Sequence, residues 1–361
     1  MNNITIRFPG YTIGENALRD LGNIVKQYGN KVMIVGGKTA FDKTKDKIQS
    51  SLRESGIYEI DFFWYGGECT KINMEAICNR VKAQEFDLII GVGGGKALDT
   101  AKGAAEQVGL PVITVPTIAA TCAATTPLSI VYTEHGDFEA LFHLTKPPVH
   151  IFMDSDVLSK APSKYLWAGI GDTMAKYYEV DITTRGKELS HRATMAKELS
   201  SMCAFPLMKY GEKAIRDNEA ARSSFELEEV ILNNIITTGI VSTLVGDENN
   251  GAAAHGLFYG FTLLEEVEKF HLHGEVVAYG VLVLLMIDRQ EERFEQLYNF
   301  YKRIKLPTCL QNIDVKNDYQ YLERVLEKAI HAPDMLKMPY PITKEILYDA
   351  VQRLEIRSEQ N

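Results

Sequence analysis

The sequence predicts an α/β domain built on a parallel sheet, followed by an all-α domain, and three observations carry that expectation. Short apolar runs alternate with helical patterns from residue 31 to about 115, strand signals stop near residue 160, and helical periodicity then continues to the C-terminus. A chain of 361 residues also exceeds the size at which one hydrophobic core keeps growing, so length alone argues for two domains. The expected division is 1–160 and 161–361.

In the first domain KVMIVGG, IYEIDFFWY, FDLIIGVGGG and LPVITVPT read as strands, with helices near 40–55, 71–83 and 96–108 between them. That order builds a parallel sheet covered on both faces. PLSIVYT and FEALFHL flank the turn EHGD, where His135, Gly136 and Asp137 favour a hairpin, and VHIFMD adds one more strand. In the second domain YLWAGIGDTMAKYYEVDITT, ELEEVILNNIITTGIVSTLV, GEVVAYGVLVLLMIDRQ and KEILYDAVQRLEI are the clearest helices. There is no internal repeat and no low-complexity tract.

Composition narrows the function. Apolar residues make up 45%, enough to bury two cores, and the net charge of -9 argues against nucleic acid as a partner, because phosphate binding needs clustered Lys and Arg. No apolar run reaches membrane-spanning length, and MNNITIRFPGYTIGENAL lacks the order of a secretory signal, so no membrane association and a cytoplasmic location are expected. Cys69, Cys78, Cys122, Cys203 and Cys309 are odd in number and show no CxxC spacing. Neither a disulfide framework nor a cysteine metal site is suggested.

FDLIIGV enters as a buried strand and KALDTAKGAAEQV leaves as a helix, so Gly91, Gly93, Gly94 and Gly95 lie where strand becomes helix. Glycines there let backbone N–H groups approach a phosphate, and the helix N-terminus adds partial positive charge. The spacing matches neither GxGxxG nor GxxxxGK[ST], because Lys96 stands at the last glycine of the first pattern and Ala97 where the second needs a hydroxyl. A nucleotide fold usually has an acid after an early strand to hold the ribose 2′-hydroxyl. Here Gly37 and Lys38 occupy that place. The missing repulsion and the ammonium tolerate a 2′-phosphate, so either NAD or NADP fits and the expectation tilts towards NADP.

Asp172, His255 and His273 each fall in helix-forming sequence. Two imidazoles and a carboxylate suit Zn²⁺ or Fe²⁺, and three protein ligands leave a position open for substrate. On one unbroken helix the two histidines would stand roughly 27 Å apart, so the chain must fold back between them, and LEEVEKFHLHG can supply the break. Pattern alone does not single out these two among the eight histidines. His271, two residues from His273, competes as a ligand but is read as a supporting or surface residue.

Six stretches carry a resemblance. GECT at 67–70, IIGVGGGKALDTAK at 89–102, VPTIAATCAATTPLSIVYTEHGDF at 115–138, AGIGDTMAKYYE at 168–179, AAAHG at 252–256 and HGEVVAYG at 273–280 together resemble the iron-containing alcohol dehydrogenase superfamily, in particular its glycerol dehydrogenase-like branch. The resemblance implies a dehydroquinate synthase-like fold with the nicotinamide in the cleft between the two domains. It implies Asp172, His255 and His273 as metal ligands, Gly94, Gly95, Lys96 and Asp99 at the pyrophosphate, and Thr117, Thr126, Leu128 and Tyr132 along the dinucleotide.

Two departures bear on substrate. Glycerol dehydrogenases of this branch carry an aspartate where this chain has Cys122, so polyol recognition is lost together with repulsion of an anionic substrate. This segment looks more like hydroxycarboxylate dehydrogenases, which reduce 2-oxo acids. Many relatives also have a His-Asn pair where Phe258 and Tyr259 stand. The expected activity is a metal-dependent, NAD(P)-linked interconversion of a small alcohol or 2-hydroxy acid and its carbonyl form, with 2-oxo acid reduction favoured over glycerol oxidation and a homo-oligomer as the working form. A lyase resembling 3-dehydroquinate synthase would need more Lys and Arg than the Lys176 and Lys269 found near the trio, and a non-catalytic nucleotide-binding module would not need the trio at all.

Overall fold

The computed structural model describes residues 5–360. Contacts divide the chain into two compact units, one running to Pro162 and including Arg216–Ile231, the other comprising Ser163–Ile215 and Leu232–Asn361. Residues 216–231 join the first unit through side chains that reach its end: Asn218 donates to the carbonyls of Leu158, Ser159 and Ala161, and Ser223 bonds Ser155.

Among its described residues the first unit holds eight strands, β1 (Gly10–Gly14), β2 (Lys31–Gly36), β3 (Glu59–Trp64), β4 (Leu88–Gly93), β5 (Val112–Pro116), β6 (Leu128–Tyr132), β7 (Phe138–His143) and β8 (His150–Asp154). Six form a sheet in the order β1-β8-β5-β4-β2-β3, and every pairing in it is parallel. β6 and β7 pair separately as the antiparallel hairpin expected from PLSIVYT and FEALFHL, with Gly136 at φ 90° in its turn. β1 carries no strong strand signal in the sequence; it takes its place by pairing with β8.

The central strands read as unbroken apolar runs because both faces of the sheet are covered. Val32 and Ile34 of β2 and Leu88, Ile90 and Val92 of β4 point into one core with Leu18, Leu21, Ile48 and Leu52. Met33, Val35 and Ile89 point the other way, into a core with Met74, Ile77, Ala101 and Ala104. The helix Lys38–Glu54, which follows β2, therefore lies on one face, and the helices Lys71–Gln84 and Gly95–Val108 lie on the other. Chain leaving adjacent strands towards opposite faces opens a crevice at their carboxyl ends, where α/β sheets bind ligands. The turns after β2 and β4 meet there: a Cβ built on Gly93 would lie 4.0 Å from the Gly37 nitrogen.

The second unit is helical. The longest helices lying wholly within it are Ser163–Thr183, His273–Ile287, Glu291–Ile304 and Lys344–Glu359. No helix among the described residues is long and apolar enough to cross a membrane.

Candidate active site

Three helices of the second unit bring Asp172, His255 and His273 together. Asp172 lies in Ser163–Thr183, His255 in Ala253–Phe261, and His273 begins His273–Ile287. The fold-back demanded by the histidine spacing is supplied by the short helix Glu265–Phe270 and an extended step at His271 and Leu272. Glycines set how closely the helices cross. A Cβ on Gly171 would meet the Gly274 carbonyl at 2.3 Å, one on Gly274 the Ala168 carbonyl at 2.0 Å, and one on Gly280 the Ala254 carbonyl at 2.6 Å. Only backbones without side chains can come so near. The first two contacts join the Asp172 and His273 helices; the third joins the His273 and His255 helices.

At this crossing Asp172 Oδ1 lies 3.5 Å from His255 Nε2 and 3.2 Å from His273 Nε2, and one ligand atom from each residue lies within 4.8 Å of both others. A tetrahedral ion with bonds of about 2.1 Å spaces its donors roughly 3.4 Å apart, so the set fits a divalent ion of the zinc or iron type. His271 turns elsewhere, with Nδ1 2.9 Å from Glu275 Oε1 and Nε2 3.1 Å from Asp314 Oδ2.

Glu179 completes the arrangement. It is fully buried; its Oε1 accepts the backbone N–H of Ala252 at 2.8 Å and of His255 at 3.0 Å, and its Oε2 lies 2.6 Å from His255 Nδ1. A carboxylate can only accept, so Nδ1 keeps its proton, and Nε2, which faces Asp172 and His273, is the nitrogen that would give up its proton and offer a lone pair to a metal. Asp172 and Glu179 stand seven residues apart, two turns along one helix face, and that spacing is the signal that could have found Glu179 in the sequence. Lys176 is also buried and donates to Asn250 Oδ1.

The electrostatics favour positive charge at the centre. Burial works to lower the His255 pKa, but the Glu179 and Asp172 carboxylates outweigh it and raise the value to about 10. Burial likewise pushes Asp172 up, and His273 and His255 reverse this and hold it well below the usual carboxylate range. Glu179 is lowered for the same reason, with His255 and then Lys176 overcoming its burial. The fully buried Glu179 and the partly buried Asp172 face two imidazoles, a charge pattern that favours a bound cation.

The glycine turn lies in the first unit. Gly93, at φ 146°, ends β4, and Gly94 caps the helix Gly95–Val108. The segment 117–127, which has neither helix nor strand, walls the turn. A Cβ on Gly94 would strike Ile118 Cδ1 at 2.8 Å, one on Gly95 would touch Ala123 Cβ and Thr121 Oγ1 at 3.6 Å, and Thr117 N–H donates to the Gly93 carbonyl at 3.0 Å.

The other candidates gather round this turn. Lys96 pairs with Glu68 and sits 5.5 Å above the Tyr132 ring. Asp99 is buried, accepts the Ile130 N–H at 3.1 Å and lies 2.8 Å from the Lys102 ammonium. Thr126 and Leu128 present carbonyls to that ammonium, and Tyr132 N–H donates to the Cys69 carbonyl at 2.8 Å. Burial, followed by Glu68, Asp99 and Cys69, pushes the Tyr132 hydroxyl up to about 12. Cys122 is half-buried in the wall, where its carbonyl accepts from Thr125 and Thr126. Gly37 caps the helix after β2, and the exposed Lys38 holds its ammonium 5.1 Å from the Trp64 ring. Sequence reading gave no role to Glu68 or Lys102.

Residues 9–155 match the iron-containing alcohol dehydrogenase family. The glycerol dehydrogenase of Pseudomonas putida is 32% identical, over 96% of this chain and 95% of that one. The chain belongs to the iron-containing alcohol dehydrogenase family. Hydroxycarboxylate dehydrogenase A of Escherichia coli K12 is 31% identical, over 90% of each chain. The solved glycerol dehydrogenase of Schizosaccharomyces pombe superposes with a TM-score of 0.89 at 27% identity, covering 100% of this chain and 92% of that one. As a member of the family the chain is an oxidoreductase of the alcohol and polyol dehydrogenase class, acting on a small molecule. Within that class it presents an apolar ring beside the centre: Phe258 stands edge-on to His273, with centroids 4.3 Å apart and planes at 82°.

Proposed function

We propose that this chain is a divalent-metal-dependent, nicotinamide-linked reductase of small 2-oxo acids, working in the reverse direction on 2-hydroxy acids. The observation that carries it is the Asp172, His255 and His273 cluster with Glu179 behind it. A zinc or iron ion held there would supply a Lewis acid for the substrate oxygen. NAD or NADP would supply or take the hydride, with the tilt towards NADP resting on Lys38 and on the lack of an acid after β2.

The chain's own residues do the rest. Glu179 keeps the Nε2 lone pair of His255 on the metal side. Gly93, Gly94 and Gly95 let the N-terminus of the helix Gly95–Val108 receive the pyrophosphate, with Lys96 and Asp99 beside it. Thr117, Thr126, Leu128 and Tyr132 would line the dinucleotide. Cys122, standing where an acid would grip a polyol, leaves an anionic substrate unopposed, and Phe258 offers no hydroxyl partner. A cytoplasmic homo-oligomer is the expected working form.

Glycerol oxidation is the second reading, supported by the likeness to the Pseudomonas putida enzyme. A panel of glycerol, simple diols and 2-oxo acids with each nicotinamide cofactor, with and without chelator, decides between them. Chelator-sensitive reduction of 2-oxo acids with NADPH is expected. Strong glycerol oxidation with NAD would overturn the substrate and cofactor assignments, and turnover untouched by chelation would overturn the metal.

A further inference from the structure

Lys102 is fully buried in the helix Gly95–Val108, on the face turned to the wall of the glycine turn. Its ammonium donates to the carbonyls of Ala123 at 2.6 Å, Thr126 at 3.1 Å and Leu128, and lies 2.8 Å from Asp99 Oδ1. Asp99 in turn takes the Ile130 N–H through Oδ2, while its backbone carbonyl accepts the Ser129 hydroxyl at 2.8 Å. The segment 117–127 has no regular structure of its own. One buried cation therefore gathers three carbonyls of the chain that walls Gly94 and Gly95.

Burying an ammonium is costly, and the cost is offset only when its donors are met and a countercharge is near. Both conditions hold here, so the wall is fixed at one height over the phosphate turn. Ala123 shows the link, since its carbonyl is held by Lys102 and its Cβ faces Gly95. Thr126 shows it again, being held by Lys102 and standing among the residues expected to line the dinucleotide.

We propose that Lys102 is a positioning residue for the dinucleotide: its ammonium pre-forms the 117–128 wall, so that the cofactor binds without first having to order it. This rests on the nicotinamide-linked reading above. Without the anchor the ligand must itself immobilise the loop, and binding weakens by the entropy of that ordering.

The test is dinucleotide affinity, measured with NADH and NADPH by fluorescence titration on the intact protein. In the paired variant Asp99→Leu/Lys102→Met both charges leave together, and such apolar replacement of a buried pair often preserves folding. The pair should keep its zinc affinity, because the metal ligands lie in the other unit, while its dinucleotide Kd rises about tenfold or more as the ligand takes on the ordering of the loop. Lys102→Gln, which keeps two donors without charge and leaves Asp99 in place, should raise Kd by more than about threefold, and it decides the matter, because the loss of Asp99 beside the pyrophosphate can by itself weaken binding in the pair. A wall that was merely structural would lower thermal stability and leave Kd unmoved, so either folded variant binding within about twofold of wild type, well inside the loss expected from preorganisation, overturns the proposal. Wild-type protein that binds neither nucleotide would instead overturn the nicotinamide-linked reading.

Discussion

Glu179→Gln isolates the tautomer argument. The substitution keeps the shape of a fully buried side chain and can leave its carbonyl oxygen on the N–H groups of Ala252 and His255, now 2.8 and 3.0 Å from Glu179 Oε1. The amide nitrogen then stands where Oε2 receives His255 Nδ1 at 2.6 Å. A donor facing a donor forces the imidazole to move its proton to Nε2, which withdraws the lone pair meant for the metal. Lost outer partners of this kind lower metal affinity by about 10–100-fold, or ~1.4–2.7 kcal/mol. Competition against a chromophoric chelator reads that change directly, with circular dichroism as the control for folding. A folded variant that binds zinc within about twofold of wild type, far less than such a partner normally contributes, would refute the reasoning.

Four further outcomes follow from the structure. His255 has its pKa raised from 6.5 to about 10, so in metal-free protein its pairing stabilises the fold fully below pH 6.5 and that contribution is lost as pH rises through about 10; urea midpoints of metal-free protein should therefore fall towards high pH. Zinc binding at neutral pH should also release about one proton from His255, measured by calorimetry in buffers of different ionisation enthalpy, and no release would contradict the site. Gly274→Ala puts a Cβ 2.0 Å from the Ala168 carbonyl, and overpacking of this kind costs roughly 1–3 kcal/mol or more, visible as a lower Tm with weakened zinc binding. Lys38→Ala should weaken NADPH binding about threefold to fivefold and leave NADH unchanged, the small effect reflecting an exposed charge; equal effects on both cofactors would remove Lys38 from the selection.

The sheet was legible because its strands are buried on both faces. Continuous apolar runs such as VMIV and LIIGV stand out against the helical periodicity around them, and the hairpin announced itself through Gly136. β1 was not legible, because GYTIG acquires its strand character only from β8 beside it. The return of residues 216–231 to the first unit was equally hidden, since it depends on Asn218 meeting three carbonyls almost sixty residues upstream. The metal trio came into view through resemblance rather than pattern. A lone histidine in a helix carries no mark of what faces it, and the choice against His271 rests on its pairing with Glu275 and Asp314, a tertiary fact.

The Asp172, His255 and His273 cluster and the wall of the glycine turn are built by different means, and that difference has a measurable consequence. Asp172, His255 and His273 ride on helices whose spacing is set by backbone contacts at Gly171, Gly274 and Gly280, so the donor atoms are held within reach of one ion by the rigidity of the helices themselves. The nucleotide wall is a loop held chiefly through side chains, Lys102 foremost and Thr114, whose hydroxyl donates to the Ala124 carbonyl at 2.8 Å. Helical backbone at a packed crossing opens only with large-scale unfolding, whereas a loop fastened by a few side-chain bonds opens locally. Amides of residues 117–127 should therefore exchange hydrogen much faster than those of residues 170–180, and a dinucleotide should slow the first set without altering the second. Lys102→Gln should speed exchange further in residues 117–127 and leave residues 170–180 unchanged; exchange in 117–127 that is the same in the variant as in wild type would remove the physical basis for assigning Lys102 its role.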